Sequence, residues 1–185
     1  MLEKIIIAID AMGGENAPKK NIEGVSLFLK KNKNDVFFNI YGDESRIKKE
    51  VDTLNIDKNK IKIFHTSSVV SDEETPLTAV KNSKNSSMWN SINSQIISES
   101  HITVSAGNTG VLFIISRMIL KTLDQVSKPA LAGLWPNKKG MNVVLDLGAN
   151  VVCDEKNLID FAEMGSALFK SLFPSEIPTV ALLNI

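Results

Sequence analysis

The 185-residue sequence is poor in the residues that build disulfides and metal centres, and it lacks the excess of basic residues that is typical of nucleic-acid surfaces. It has one cysteine, two histidines and 21 basic against 21 acidic residues, so its formal net charge is zero. A single cysteine excludes an intramolecular disulfide and favours a reducing compartment. Zero net charge argues against a broad nucleic-acid footprint. His65 and His101 are isolated from each other and neither has the ligand spacing of a metal site, so we predict no metal site. We also predict no cofactor.

Long hydrophobic runs are also absent. The longest candidate, Val111–Leu120, is interrupted by Arg117. It is shorter than the roughly 18 apolar residues that a membrane-spanning helix needs. We therefore expect a soluble, cytoplasmic chain.

The sequence does contain alternating strand-like and helix-like segments. Apolar runs predict the following strands: Lys4–Asp10, Val36–Tyr41, Ile61–His65, Ile102–Ser105, Ala130–Leu134, Met141–Leu147 and Thr179–Ile185. Helical periodicity and capping residues predict the following helices: Pro18–Asn32, Asp43 to about Leu54, one near Pro76 after a capping box at Ser71–Glu74, Ser86–Glu99, Gly110–Leu120 and Asn157–Phe173. This order predicts a single α/β domain over residues 1–185, three-layered, with a mainly parallel sheet between helices.

Polar, glycine-rich turns follow three of the predicted strands. In the turn 105–110, Gly107 and Gly110 permit close backbone approach, and Ser105, Asn108 and Thr109 offer side-chain donors. The next helix would present unpaired N–H groups to this turn, an arrangement that binds anions. A tight turn capped by Thr109, without a ligand, is the structural alternative.

The other two turns each follow an aspartate: Asp10 ends the first predicted strand, and Asp146 lies near the end of Met141–Leu147. In open α/β sheets, ligands bind beyond the carboxyl ends of the strands, so all three turns are predicted to form one composite site. The alternative is that each aspartate only bonds loop backbone or a structural partner. These turns contribute the following candidates: Asp10, Gly13, Gly14, Asp146, Gly148 and Asn150.

A fourth polar segment precedes the helix predicted at Ser86. Lys84, Ser86 and Ser87 could hold a phosphate, although composition alone favours a solvated polar loop. Cys153 has no histidine near it in sequence and is interpreted as a small core or surface thiol rather than a nucleophile.

Several motifs together resemble the family of bacterial phosphate acyltransferases, which transfer acyl groups from acyl carrier protein to phosphate in phospholipid synthesis. The resemblance covers essentially the whole chain. It is carried, in the family's order, by Ile9–Gly14 with Ala17–Pro18, Ser86–Met88, Ser105–Gly110, Lys128–Ala130, Leu145–Asn150, Phe161–Gly165 and Leu182–Ile185.

The resemblance implies an isocitrate/isopropylmalate dehydrogenase-like fold and attack of inorganic phosphate on an acyl thioester. It also implies acyl carrier protein as partner, a homodimer and peripheral membrane association. In this interpretation the turn 105–110 holds phosphate, with Asn108, Asp10 and Asp146 in the catalytic centre. Lys84, with the serines at 86 and 87, would contact the anion or the carrier.

The chain departs from the family pattern in four respects. Glu15 stands where Asp is usual, Val111 replaces a small residue, and the basic run before Ser86 is sparse. Family members are also considerably longer. A shortened, inactive remnant or one half of a split enzyme is therefore the alternative. A nucleotide-binding α/β domain is a third interpretation, which the absence of Gly-x-Gly-x-x-Gly after the first strand disfavours.

Overall fold

The computed structural model describes residues 4–31, 35–71, 78, 80–81 and 83–183. The chain divides into two compact units, Met1–Lys121 and Thr122–Ile185. Each unit is described by itself below, and the single domain predicted over 1–185 remains a prediction.

A four-stranded parallel sheet forms the centre of the first unit. Its strands are β1 (Ile5–Asp10), β2 (Val36–Gly42), β3 (Ile61–His65) and β4 (Ile102–Ser105), in the order β3-β2-β1-β4. All three neighbouring pairs are parallel. The predicted mainly parallel α/β fold is therefore confirmed, and each of these four strands was predicted within one residue.

Helices cover both faces of this sheet. On one face, α1 (Lys19–Lys31) and α2 (Glu44–Thr53) bury a cluster of aliphatic and aromatic side chains. Ile22 and Val25 of α1 and Ile47 of α2 pack there against Ile40 and Phe38 of the central strand. The opposite face is covered by α3 (Ser87–Ile96), which packs against α4 (Thr109–Leu120).

Side-chain caps position the helices at the carboxyl edge of the sheet. The Asp43 carboxylate accepts a hydrogen bond from the Arg46 amide and begins α2, as the sequence predicts. Ser86 caps α3 in the same way, through the Trp89 amide. The N-terminus of α2 directly follows the end of β2, and Ser86, which caps α3, forms an isolated parallel bridge with Ser68.

The second unit contains an antiparallel hairpin and one long helix. Strands β5 (Ala132–Asn137) and β6 (Gly140–Leu145) pair antiparallel, and α5 (Glu155–Leu172) follows. Both strands were predicted, but as members of a mainly parallel sheet. The two-residue connection at 138–139 explains the difference, because parallel neighbours need a long crossover.

One strand prediction was wrong. Residues 179–183 are not in a strand, and Val180, Leu182 and Leu183 are exposed. An apolar run forms a strand only where a neighbouring strand accepts its backbone hydrogen bonds, and this segment has no such neighbour among the described residues. Asn184 and Ile185 lie outside the described residues, as do residues 72–77, which include most of the predicted capping box and the predicted start of the helix near Pro76. Residues 78, 80 and 81 are helical.

No helix in the described ranges combines the length and the apolar character that crossing a membrane requires.

Candidate functional site

The candidate site of the first unit is built on the register between β1 and β4. Asp10 is paired with Ser105 in this register, so the two side chains lie on the same face at the carboxyl edge. The Ser105 hydroxyl donates to Oδ2 of Asp10 at 2.7 Å and accepts from the Gly107 amide at 3.2 Å. Oδ1 of Asp10 accepts from the Met12 amide at 3.3 Å. A single buried carboxylate, 1% exposed, thus ties both strand-end turns together.

Three glycines allow these turns to touch. A Cβ on Gly13 would lie 2.6 Å from Oδ2 of Asp10 and 2.8 Å from the Gly107 amide nitrogen. A Cβ on Gly14, whose φ is +84°, would lie 2.6 Å from the Ala106 carbonyl oxygen. Glycine is therefore required here by space and, at Gly14, also by backbone conformation.

Asn108, and not Thr109, caps α4. Its Oδ1 accepts from the Val111 amide at 3.1 Å, whereas Thr109 is the first residue of the helix. The predicted capping role of Thr109 is therefore wrong, because the chain enters the helix one residue earlier than the sequence suggested. Thr109 and Gly110 form the first turn of α4, where backbone N–H groups lack helical acceptors.

The Ser86–Met88 motif lies at the same edge of the sheet. Ser86 and Ser87 are 0% and 1% exposed, whereas Lys84 is exposed. Both serine amides already donate, to the carbonyls of Ser83 and Ser68. Met88 Cε would lie 2.8 Å from a Cβ on Gly107, so the first turn of α3 packs on the β4 turn.

Asp146, Gly148 and Asn150 belong to the second unit. The Asp146 carboxylate accepts from the Ala149 amide at 3.3 Å and the Asn150 amide at 3.2 Å. The Asn150 side chain donates to the Pro129 carbonyl at 2.9 Å. Gly148 adopts a φ of +82°. Because these residues are in a different unit, the composite site of three turns remains a prediction.

Sequence reasoning missed Asn21, which lies in the first turn of α1. Its amide donates to the carbonyls of Ala11 and Gly13, at 2.9 Å in each case. A single Asn near a helix start is not part of a recognisable sequence motif. Only the fold places its side chain over the turn that follows β1. The second unit has a comparable cluster, in which Asp160 accepts from Ser127 and Asn157 donates to the same hydroxyl.

Tyr41 lies beside Asp10 in the register and stacks on Phe64, with ring centroids 4.7 Å apart. It is 4% exposed, and its hydroxyl makes no hydrogen bond of normal geometry. Burial raises the pKa of Tyr41, and the nearby Ser94 hydroxyl offsets part of that rise. Asp10 and Tyr41 are therefore screened from water, whereas Ser105 is half-buried.

The carboxylates of Asp10 and Asp146 are not satisfied by ion pairs in the described part of the chain. Among the described residues, the ion pairs join Lys48, Lys58 and Lys60 to other carboxylates and leave Asp10 and Asp146 unpaired. Within the same part of the chain, no group of three His, Cys, Asp or Glu side chains is arranged to hold a metal ion. Both aspartates instead accept hydrogen bonds from backbone or hydroxyl groups.

A parallel sheet whose strand ends carry glycine-rich polar turns defines an α/β protein with a backbone-built site. Comparison with known proteins identifies the family within this class. Residues 5–185 match the model of a family described as "Fatty acid synthesis protein", and the chain belongs to that family.

Curated relatives agree with this assignment. A phosphate acyltransferase of Pelagibacter ubique is 50% identical over 100% of this chain and 55% of its own length. A phosphate acyltransferase of Magnetococcus marinus is 40% identical over 97% of this chain and 51% of its own length. The chain thus spans about half the length of the curated relatives it matches.

A solved structure supports the fold. EutD phosphotransacetylase from Staphylococcus aureus matches with a TM-score of 0.63 over 93% of this chain and 54% of its own, at 16% sequence identity. At that identity the likeness concerns the fold alone.

Proposed function

We propose that this chain carries the phosphate-holding part of an acyltransferase that moves a fatty acyl group from acyl carrier protein to inorganic phosphate. The names of the curated relatives support the acyl transfer to phosphate. The observation that carries the proposal is the contact of the Gly13 and Gly107 turns around the Asp10–Ser105 hydrogen bond.

In the proposed reaction, an oxygen of hydrogen phosphate attacks the thioester carbonyl carbon. The new C–O bond forms, the C–S bond breaks, and the phosphate proton ends on the thiolate of the carrier. The products are acyl phosphate and free carrier thiol. Phosphate is itself the nucleophile, so no serine or cysteine nucleophile is needed. Positioning contributes about 7–11 kcal/mol in such reactions.

The residues divide into binding and positioning groups. Backbone N–H groups at Thr109 and Gly110, with the side chain of Asn108, would hold the phosphate oxygens. Gly107, whose N–H donates to the Ser105 hydroxyl, would line the turn. Asp10 is a buried acceptor and would repel phosphate at close range. Its proposed role is to orient the Ser105 hydroxyl.

Phosphate-dependent release of carrier thiol tests the proposal. Purified chain, incubated with acyl-acyl carrier protein, should release thiol at a rate that saturates with phosphate concentration. Phosphate alone should also raise the melting temperature of the chain, because a ligand that binds only the folded state stabilises it. A melting temperature indifferent to phosphate, together with no thiol release, would reject the proposal.

Asn108 offers a charge-specific variant pair. Asp and Ser both cap helices about as well as Asn, so Asn108→Asp and Asn108→Ser should keep α4 intact. The carboxylate of Asn108→Asp would face the bound anion, so we expect its phosphate affinity to fall about tenfold or more, equivalent to about 1.4 kcal/mol. Asn108→Ser is the neutral control, with a smaller loss. Equal affinity in both variants would place the anion elsewhere.

A binding module without turnover is the second candidate. It is favoured by the observation that the chain spans about half the length of its curated relatives. In that case phosphate would stabilise the chain without thiol release, and the partners of the whole enzyme, a second copy and acyl carrier protein, would act through the remaining half.

A further inference from the structure

Asn21 links the first helix to the glycine turn of the candidate site. Its side chain has two amide hydrogens, and the carbonyls of Ala11 and Gly13 each accept one at 2.9 Å. The Asp10 carbonyl lies at 3.5 Å from the same nitrogen. One side chain thus satisfies the carbonyls of both Ala11 and Gly13. No backbone N–H group of the described residues donates to either carbonyl.

These two hydrogen bonds hold the part of the turn that is closely packed against its neighbours. Gly13 is wedged between the Asp10 carboxylate and the backbone of Gly107, since a Cβ there would meet both within 3 Å. Holding the Gly13 carbonyl therefore holds the close contact between the two turns. The same contact surrounds the hydrogen bond from Ser105 to Asp10.

We propose that Asn21 is a positioning residue of the candidate site, which holds the β1 turn against the β4 turn and so sets the Asp10–Ser105 pair. This inference rests on the proposed function for its effect on phosphate. Asn21 itself donates only to backbone carbonyls in the structure and is not assigned a contact with substrate.

The chemistry of the side chain separates positioning from space filling. Asn21→Asp keeps the shape but replaces two donors by a carboxylate facing two carbonyl oxygens. Asn21→Ala removes the donors without adding charge. A space-filling role predicts that Asn21→Asp resembles the native chain, whereas a positioning role predicts that it is at least as impaired as Asn21→Ala.

Asn39 provides a matched control. Its amide donates to the Glu99 carbonyl at 2.9 Å, and it lies in mid-strand of β2, away from the glycine turns. Asn39→Ala removes the same kind of hydrogen bond and should lower stability without loosening the turns.

Two measurements on the full chain test the proposal. The first is phosphate affinity from the phosphate dependence of the melting temperature, which we expect to fall about tenfold in Asn21→Asp and Asn21→Ala, as for one lost net hydrogen bond. The second is amide hydrogen exchange at Gly107 and Met12, which we expect to quicken in both variants and stay unchanged in Asn39→Ala.

The outcomes are distinguishable. If phosphate neither shifts the melting temperature of the native chain nor supports thiol release, the proposed function fails, and the exchange rates alone still decide the role of Asn21. Native exchange at Gly107 and Met12 in Asn21→Asp would overturn the positioning role. So would equal slowing or quickening in Asn21→Ala and the Asn39→Ala control.

Discussion

At the scale of single residues, two glycines of the first unit differ in the space that their surroundings leave for a methyl group. Gly13 has Asp10 Oδ2 at 2.6 Å and the Gly107 nitrogen at 2.8 Å from the position of a Cβ. Gly24, in the middle of α1, has nothing within 4 Å. Replacement by alanine therefore creates overpacking at Gly13. At Gly24 it only reduces the backbone entropy that is lost on folding.

We expect Gly13→Ala to lower the free energy of unfolding by about 1–3 kcal/mol, the usual cost of overpacking. Gly24→Ala should raise it by about 0.5–1 kcal/mol, because alanine is the better helix former. Urea denaturation of both variants gives the two values. Equal effects of the same sign would contradict the close approach at Gly13.

Tyr41 predicts a second residue-scale effect, on alkaline stability. Burial raises its pKa above the ordinary value of 10.0. Above about pH 10 the unfolded chain then loses the tyrosine proton while the folded chain keeps it, so stability falls as pH rises. Tyr41→Phe lacks this loss, and its stability near pH 7 should equal or exceed that of the native chain, because the buried hydroxyl makes no hydrogen bond of normal geometry.

The measurement is direct because the sequence contains one tyrosine. Ultraviolet absorbance of tyrosinate reports Tyr41 alone, and melting temperatures of both proteins from pH 9 to 11 give the stability difference. A tyrosine titrating at its ordinary pKa in the folded chain would refute the assignment.

At the scale of secondary-structure elements, caps decide where helices begin at the site. Ser86 is 0% exposed and accepts the Trp89 amide at 3.1 Å. Ser86→Ala should cost about 0.5–2 kcal/mol of stability, because it leaves a helix-start donor unsatisfied. Chemical denaturation measures this cost.

The control is Ser171→Ala, which removes an exposed hydroxyl bonded to the Ala167 carbonyl within α5. It should change stability by less than about 0.5 kcal/mol, as expected for an exposed site. A loss in this variant as large as that in Ser86→Ala would show that the cap is not the cause.

At the scale of the whole molecule, the two units differ in how much core they contain. Both hydrophobic clusters lie within Met1–Lys121. In the described part of the second unit, Phe161 is the one buried hydrophobic side chain. The first unit is therefore expected to carry most of the folding free energy.

A fragment of residues 1–121 should melt cooperatively, within about 8 °C of the whole chain, a shift of roughly 1–2 kcal/mol for a domain of this size. A fragment of residues 122–185 should lack a cooperative transition. Thermal melts followed by circular dichroism decide both points. A fragment 1–121 without cooperative melting would mean that its two clusters do not suffice.

Prediction from sequence succeeded where the signal is local. The four strands of the parallel sheet are short apolar runs between polar turns, and Asp43 is a capping residue at a helix start, so both were predicted. It failed at residues 179–183, where an apolar run has no neighbouring strand among the described residues. It also failed at Thr109, since one residue of shift at a helix start is beyond what spacing can fix.

The same distinction between local sequence signals and tertiary contacts applies to the candidate site. The sequence by itself determined that polar, glycine-rich turns end the strands, because residue type and order suffice for that. Only the tertiary structure decided that Ser105 donates to Asp10, that Gly13 lies against Gly107, and that Asn21 holds the turn. Those contacts follow from strand register and helix packing, which join residues up to 95 positions apart in the sequence.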